Sequence, residues 1–553
     1  MGLLNDQVCP DTVLEWTGVL AGWLLLLTPI ANPDLPWHLS AGRRIFESHS
    51  VPAADWLSWT RAGAPWTDFE WGAQLVYHAV WKAGGVPGLF LLKAVVLALL
   101  FLLFLKVLKF LDIPAPWRGA AAAALGATLA LSADLRPDHF SLLFFTIELL
   151  FVEARRTGAV SGGLKRWAPA HVLLYALWAN LHPGFVMGLA LLALYGAGAP
   201  QYRRDFLFWA MAGALGTMLN PHGLGIYEPL WVHARDMKVI APLVFEWRPS
   251  DPRLILHQPF FLLALFFAAA MVRERRVRWP HLLAALFFGG MAALHNRHIP
   301  YFAIAALPAA ALALRSAPPL PAWRRNAASA CGLALWAAFA WGRFDDGLGR
   351  RVWDMRFYPE GVSVYLQDEV EDLGGLKLYN PMSWGGYLGW RLNPDYKVFW
   401  DGRYIFADML PGAVAATRSA PAWARYIKEQ DIELVALERG RLGRIPYRTG
   451  PGGVVARPAE RLYMDPAGWA LLYWDSQGLL FVRRDKAEPE WLAEHEFRLL
   501  FPDDQDWLKA EARAGRLDPA AAAEEVRRYL EGGGDQAEKT RWDIFLTEIQ
   551  TGR

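Results

Sequence analysis

Long apolar runs alternate with short polar turns through the first 345 residues. About eleven runs approach the roughly 20 apolar residues that an α-helix needs to cross bilayer hydrocarbon. They lie near 16–33, 86–108, 117–133, 138–154, 168–181, 184–199, 205–219, 258–272, 280–294, 299–314 and 326–342. Several are short, and the pairs flanking Asn180 and Asn296 also fit re-entrant segments. After residue 350 the pattern changes to short β-like runs at 376–379, 397–400, 434–437, 470–474 and 479–483, with helical stretches near 359–371 and 419–430. This mixture predicts a small α/β domain over 356–486. From 488 to 553 the chain reads as polar, amphipathic helices broken at Gly532-Gly533-Gly534.

Charge orients the helices. Lys106, Lys109 and Arg118; Arg155, Arg156, Lys165 and Arg166; Arg203 and Arg204; Arg273, Arg275, Arg276 and Arg278; and Arg315, Arg324 and Arg325 all fall in alternate turns. The positive-inside rule makes that face cytoplasmic. The N-terminus is then inside and the segment after residue 342 outside. Arg43 and Arg44, after the first run, oppose this locally, as does an N-terminal segment that carries Asp6, Asp11 and Glu15 without a cation. The lack of a basic leader region also argues against a cleaved signal peptide. Two outward loops are long. The first, 34–85, holds Trp37, Trp56, Trp59, Trp66, Trp71 and Trp81, and is read as short helices along the interface, where Trp is favoured. The second, about 220–257, is interrupted by prolines and partly basic.

Composition agrees with a membrane domain joined to a water-soluble one. The chain has 553 residues, 54% hydrophobic and 20% charged, with 28 Trp. A net charge of +2 argues against a nucleic-acid partner. Cys9 and Cys331 do not make a disulfide framework, and Cys331, inside an apolar run, reads as a small core residue. Zinc motifs, Walker loops and a strand-linked GxGxxG are absent from the sequence.

The outward turns concentrate the chemistry. Asn32-Pro33-Asp34-Leu35-Pro36-Trp37-His38 follows the first run. Asp34 either caps a helix starting near Pro36 or is a carboxylate held at the bilayer surface, where dehydration makes it a better base. His38 lies four residues on, on the same helical face. Asp68 and Glu70, between Trp66 and Trp71, are either a solvated acidic pair or groups that orient an acceptor or bind a metal. Arg136, Asn180, His182, Asn220, His222, Glu246, Arg297 and His298 occupy the remaining outward turns. Each alone reads as a turn former. Together they gather cations and imidazoles at one membrane face, which suits a phosphate leaving group because Arg pairs bidentately with phosphate oxygens. Ionisable groups at helix ends on one side of a bilayer mark a site at that boundary.

A family resemblance adds to this reading. The run Asp34-Leu-Pro-Trp-His-Leu-Ser-Ala-Gly-Arg43, then Val51-Pro-Ala-Ala-Asp55, then Pro65-Trp66 and Glu70-Trp71, resembles the first outer loop of bacterial GT-C-type membrane glycosyltransferase-like proteins. Arg136-Pro137, Trp178-Ala179-Asn180-Leu181-His182, Asn220-Pro221-His222-Gly223 and Glu246-Trp247 are similar to that group's later outer turns. Asn380 with Trp384-Gly385-Gly386-Tyr387-Leu388, and Val398-Phe399-Trp400-Asp401-Gly402-Arg403, are similar to motifs of its outer domain. Paired glycines and Asp-Gly are equally explained by close packing and a turn. Pro36 and Phe69 depart from the pattern, the second at a position where the group often has His, which weakens a metal site in that loop.

The resemblance implies a polytopic α-helical membrane protein: a GT-C-like transmembrane domain over 1–345, an extracytoplasmic α/β domain over 356–486 and a helical tail over 488–553, in a bacterial inner membrane. It implies an inverting transferase that takes a sugar from a polyprenyl-phosphate donor to a glycan, lipid or protein acceptor. Asp34 is then the general base, with His38 and Glu70 as further catalytic groups, and the remaining outward residues bind substrate. The resemblance fixes no cofactor, and a divalent metal stays open. An inactive GT-C-shaped scaffold for an envelope partner is an alternative. A lipid or glycan transporter is another, though the repeated halves and broken mid-membrane helices of that class are not evident.

Overall fold

The structure is a computed structural model describing residues 10–159, 164–274, 278–315, scattered positions from 321 to 334, and 352–450, 453–532 and 536–551. It forms two compact units. The first contains residues up to 32, 41–53 and 67–354; the second contains 33–40, 54–66 and 355 onward.

The first unit is helical. Its elements are α1 (Pro10–Leu25), the latter part of α2 (Leu35–Ser48), α3 (Trp71–Phe110), α4 (Ala115–Leu129), α5 (Asp138–Arg156), α6 (Leu164–Leu181), α7 (Phe185–Gly198), α8 (Arg203–Thr217), α9 (Glu228–Ile240), α10 (Gln258–Arg273), α11 (Trp279–Leu294) and α12 (Ile299–Ala311). α3 is broken at Gly85 (φ +58°), just before Pro87, which cannot continue a helix without losing a backbone donor. Its second half carries Leu91, Val95, Leu99 and Leu102 on an exposed stripe, with Leu97, Leu100, Phe101 and Phe104 buried. That split is expected where lipid covers one face and protein the other. α12 is apolar and buried on every side, which makes it the centre of the bundle. α1 lies along α4, α6 along α8, and α3 along α5. The chain leaving this unit pairs at 352–354 with Ile30, whose N–H donates to Val352 O at 2.8 Å.

The protein is a multi-pass membrane protein. Among the described residues, Trp71–Phe110, Ile255–Arg273 and Asn296–Leu314 are long and apolar enough to cross a bilayer. A fourth crossing results if Phe185–Gly198 and Pro200–Thr217, bent by 118°, count as one broken span. Other apolar runs make shorter helices, or, as in α5 with Glu148 and Glu153, carry buried carboxylates. Most of the run expected at 326–342 lies outside the described residues. Cys331 is exposed there, not a core residue. An apolar run fixes neither burial nor exposure of a small residue within it, because apolar side chains are common on protein surfaces as well as inside. The long loop at 220–257 contains a helix that sequence did not reveal, α9, opened by Glu228 and Pro229.

The second unit holds a four-stranded sheet of order β1-β2-β6-β5, from β1 (Leu378–Tyr379), β2 (Leu434–Glu438), β5 (Trp469–Trp474) and β6 (Gly478–Arg483). β1 runs parallel to β2, and the other pairs are antiparallel. β3 (Arg444–Gly450) and β4 (Gly453–Pro458) form a separate hairpin. The run at 397–400 is not a ladder strand. It makes one bridge, Ser58 with Val398, because its partner is the outer-loop segment 57–59. The C-terminal helices Pro519–Gly532 and Gln536–Thr551 are tied to the sheet by aromatic packing: Trp474 stacks on Tyr529 at 4.3 Å and lies 5.9 Å from Trp542.

Candidate functional site

Two clusters contain the expected site residues, one in each unit. In the membrane unit, the turns before α5 and α12 bring Arg136 and Arg297 to the carboxylate of Glu246. Arg136 Nη1 donates to Glu246 Oε2, and Arg297 Nη1 lies 3.4 Å from Oε1. Arg297 also lies over the Trp247 ring at 4.2 Å. All three charged side chains remain about one-third exposed, at 36, 30 and 27% for Arg136, Glu246 and Arg297. Burial alone would raise the Glu246 carboxyl, but Arg297 and then Arg136 outweigh it and hold its pKa down to about 2. The 245–248 turn is pinned by Asn296, whose Nδ2 donates to Phe245 O at 2.7 Å, and by the His295 ring on Trp247 O at 2.6 Å. His298 is buried 6.0 Å from Trp247 and 6.3 Å from Tyr301, ring to ring.

His182, at the end of α6, is a buried neutral imidazole. Its Nδ1 accepts from Gly184 N–H (3.1 Å) and contacts Ser141 Oγ (2.7 Å), which in turn accepts from Trp178 Nε1 (2.6 Å). A backbone donor on Nδ1 leaves the proton on Nε2, which faces Glu70 Oε1 at 3.8 Å. Burial, and then the charge of Arg297, lowers the imidazole pKa to about 3. Neighbouring residues have framework partners. Asp68 Oδ1 accepts from Gln74 Nε2 (2.7 Å) and Glu70 N–H (3.3 Å), an Asx-type turn that starts α3. Asn180 Oδ1 accepts from Trp71 Nε1 (2.7 Å), while its amide donates to Ala176 O and Leu219 O. Asn220 closes its own turn by accepting from His222 N–H (2.7 Å), and the His222 ring meets Asp68 O at 3.0 Å.

In the second unit α2 begins at Leu35, directly after Asp34. Asp34 Oδ1 accepts from Trp37 Nε1 at 3.3 Å, and the His38 ring packs against Trp37 at 3.7 Å. Gly402 lies against this carboxylate so closely that a Cβ there would run into Asp34 Oδ1. The next residue, Arg403, is buried between two carboxylates. It meets Asp401 through Nε and Nη2 at 2.7–3.1 Å and Asp55 through Nη2 at 2.7 Å, with its guanidinium 4.9 Å from the Trp66 ring. Burial opposes its charge, but Asp401 and Asp55 raise its pKa above the ordinary arginine range. Asp55 also accepts from Ser58 Oγ at 2.5 Å. Asn380 bridges the same region, accepting from Phe399 N–H (2.9 Å) and donating to Trp400 O (3.0 Å). A Cβ on Gly385 would strike Trp400 O, and one on Gly386 would press on Pro33 O. These motifs are therefore joints that brace the loop around Asp34.

Sequence reasoning did not single out Ser141 as an orienter of His182, or Arg403 as the partner of Asp55. It also passed over Lys93, fully buried in α3 and donating to Thr28 O (2.7 Å) and Oγ1 (3.1 Å). Lys93 did leave a signal, as a lone cation within an apolar run. Among the described residues no three His, Cys, Asp or Glu side chains gather in a metal-binding group.

Neither a protein-family profile nor a curated protein matches the chain. Solved structures do. The apo oligosaccharyltransferase of Archaeoglobus fulgidus aligns over 82% of this chain and 75% of its own, with a TM-score of 0.50 and 11% identity. ArnT from Cupriavidus metallidurans, bound to undecaprenyl phosphate, aligns over 86% of this chain and 99% of its own, with a TM-score of 0.44 and 14% identity. The fold is GT-C-like.

Proposed function

We propose that this protein is a membrane glycosyltransferase that moves a sugar from a polyprenyl-phosphate-linked donor to an acceptor on the extracytoplasmic side, with inversion. The observation that carries the reading is the Arg136–Glu246–Arg297 arrangement. Two arginines converge on one carboxylate while keeping exposed surface, and a phosphate presents the same paired oxygens to guanidinium forks. The leaving phosphate displaces Glu246 and takes both cations.

Asp34 accepts the proton of the acceptor hydroxyl as that oxygen attacks the anomeric carbon. The bond from that carbon to the phosphate oxygen breaks, and its electron pair leaves with the phosphate, where Arg136 and Arg297 stabilise the charge. Trp37 and Gly402 set the direction of the Asp34 carboxylate. His182, neutral and oriented by Ser141 and Gly184, directs its Nε2–H toward Glu70, and this pair positions the acceptor. His38 supports Trp37. Asp68, Asn180, Asn220 and His222 serve this reading by fixing the turns that carry Glu70 and His182, and His298 by packing under Trp247.

The test is release of polyprenyl phosphate from a labelled donor by the full-length protein in membranes. Asp34→Asn is expected to lower kcat by about 10²–10⁴-fold with KM little changed, the signature of a lost proton acceptor. Arg136→Gln with Arg297→Gln is expected to lower kcat/KM at least as far. Wild-type rates in both variants overturn the assignment.

A further inference from the structure

The same helices that carry Arg136, Glu70 and His298 at one end carry a second charged cluster at the other. α3 runs from Trp71 to Phe110, α5 from Asp138 to Arg156, and α12 from Ile299 to Ala311. Beyond their far ends, within the membrane unit, the described residues line an open cavity of about 580 Å³. Lys109, Arg156, Arg278 and Arg315 line it, against one carboxylate, Asp112, with Leu312 among its apolar contacts. α5 has 19 residues, so about 28 Å of helix at 1.5 Å per residue separates this cavity from the Arg136 end.

Lys109, Arg156 and Arg315 lie at helix C-termini, where cations offset the helix dipole and obey the positive-inside rule, whereas Arg278 stands at the N-terminus of α11 and has only the second explanation. That accounts for their number at this end but not for their convergence on one cavity. The pairing is also incomplete in strength. Lys109 lies 3.4 Å from Glu15 and is 51% exposed, and Arg278 lies 3.2 Å from Glu274. Arg315 meets Asp112 at 2.7 Å, with both side chains more than half exposed. The Arg315–Asp112 pair is exposed on both sides and is readily exchanged for a stronger anion, while Lys109 shares the buried Glu15 with Arg118 and Arg278 keeps a longer contact to Glu274. Arg156 alone is firmly held, by Glu153 at 2.7 Å. The cavity thus offers one exchangeable cation and two loosely paired ones beside one fixed cation, near the ends of α3 and α12, which lie in segments long and apolar enough to cross a bilayer. Basic pockets between membrane helices bind phosphate headgroups in this way.

We propose that this cavity binds the phosphate headgroup of an anionic membrane lipid, at the end of the bundle opposite Arg136 and Glu246. The assignment is independent of the transferase reading, because it uses none of that site's residues.

The test is lipid binding to the delipidated full-length protein in neutral detergent, read by native mass spectrometry and by the melting temperature. The probes are phosphatidylglycerol, cardiolipin, phosphatidylcholine and inorganic pyrophosphate. The two anionic lipids are expected to bind and raise the melting temperature, with an affinity that falls as salt rises, whereas phosphatidylcholine has no effect. Lys109→Gln, Arg278→Gln and Arg315→Gln combined are expected to weaken binding about a hundredfold, since each cation near a headgroup contributes roughly fivefold. A charge-matched control at exposed Arg235, Arg425 and Arg527, all changed to Gln, should bind as wild type does. Should the triple variant fail to fold, Lys109→Gln and Arg315→Gln singly, each at a half-exposed position, are expected to show the fivefold losses. Equal binding of phosphatidylcholine, or unchanged affinity in these variants, overturns the proposal. Pyrophosphate binding as tightly as lipid overturns the lipid assignment and assigns a soluble polyphosphate instead.

Discussion

His182 combines a fixed tautomer with a depressed pKa, and the two together make a pH prediction. In the unfolded chain its imidazole titrates near 6.5, and in the folded site at about 3. Between those values the unfolded chain binds a proton that the folded site refuses. Stability is therefore full above about pH 6.5 and falls as pH drops toward 3. Glu246, lowered from 4.5 to about 2, continues the loss at lower pH. Melting temperature against pH should show a shallower acid decline in His182→Gln than in wild type, and an identical decline would contradict the neutral, buried assignment. Arg136, Glu246 and Arg297 were legible in the sequence as members of one outward set. Their convergence was not, because the partners of Glu246 lie 110 and 51 residues away. Ser141 left no signal, since a serine within an apolar run is common in any membrane helix.

At the scale of elements, the membrane unit depends on close helix crossings. α1 and α4 touch through glycines: a Cβ on Gly18 would enter Gly119 O, and one on Gly126 would enter Gly22. Without a hydrophobic force between helices in lipid, such small-residue contacts supply much of the packing energy. Gly126→Val is expected to cost about 1–3 kcal/mol by overpacking. It should lower the melting temperature measured in lipid nanodiscs, whereas Gly290→Val, on α11 with open space around it, should not. Apolar runs marked these helices well, and short apolar runs of strand length marked β2, β5 and β6. The hairpin β3–β4 was hidden by its Arg, Pro and Gly content, which blurs alternation. The 397–400 run was misread because its pairing partner is a loop more than 300 residues earlier in the chain.

For the whole molecule, the informative fact is that segments 33–40 and 54–66 belong to the same compact unit as residues 355 onward. The buried Asp55–Arg403–Asp401 group joins loop to C-terminal portion inside that unit. Removing one partner of a buried ionic group typically costs about 3–5 kcal/mol. Arg403→Met should therefore make the 54–66 segment and the C-terminal portion protease-sensitive together; cleavage confined to one of them would contradict their shared folding. The central claim is that a sugar on a polyprenyl phosphate is the donor and Asp34 the base that consumes it. The most direct measurement is mass spectrometry of the lipids retained by wild type and Asp34→Asn, extracted side by side in polymer nanodiscs that keep native lipid. The account predicts a polyprenyl-phosphate sugar enriched in Asp34→Asn and depleted in wild type. No polyprenyl species in either sample would contradict it.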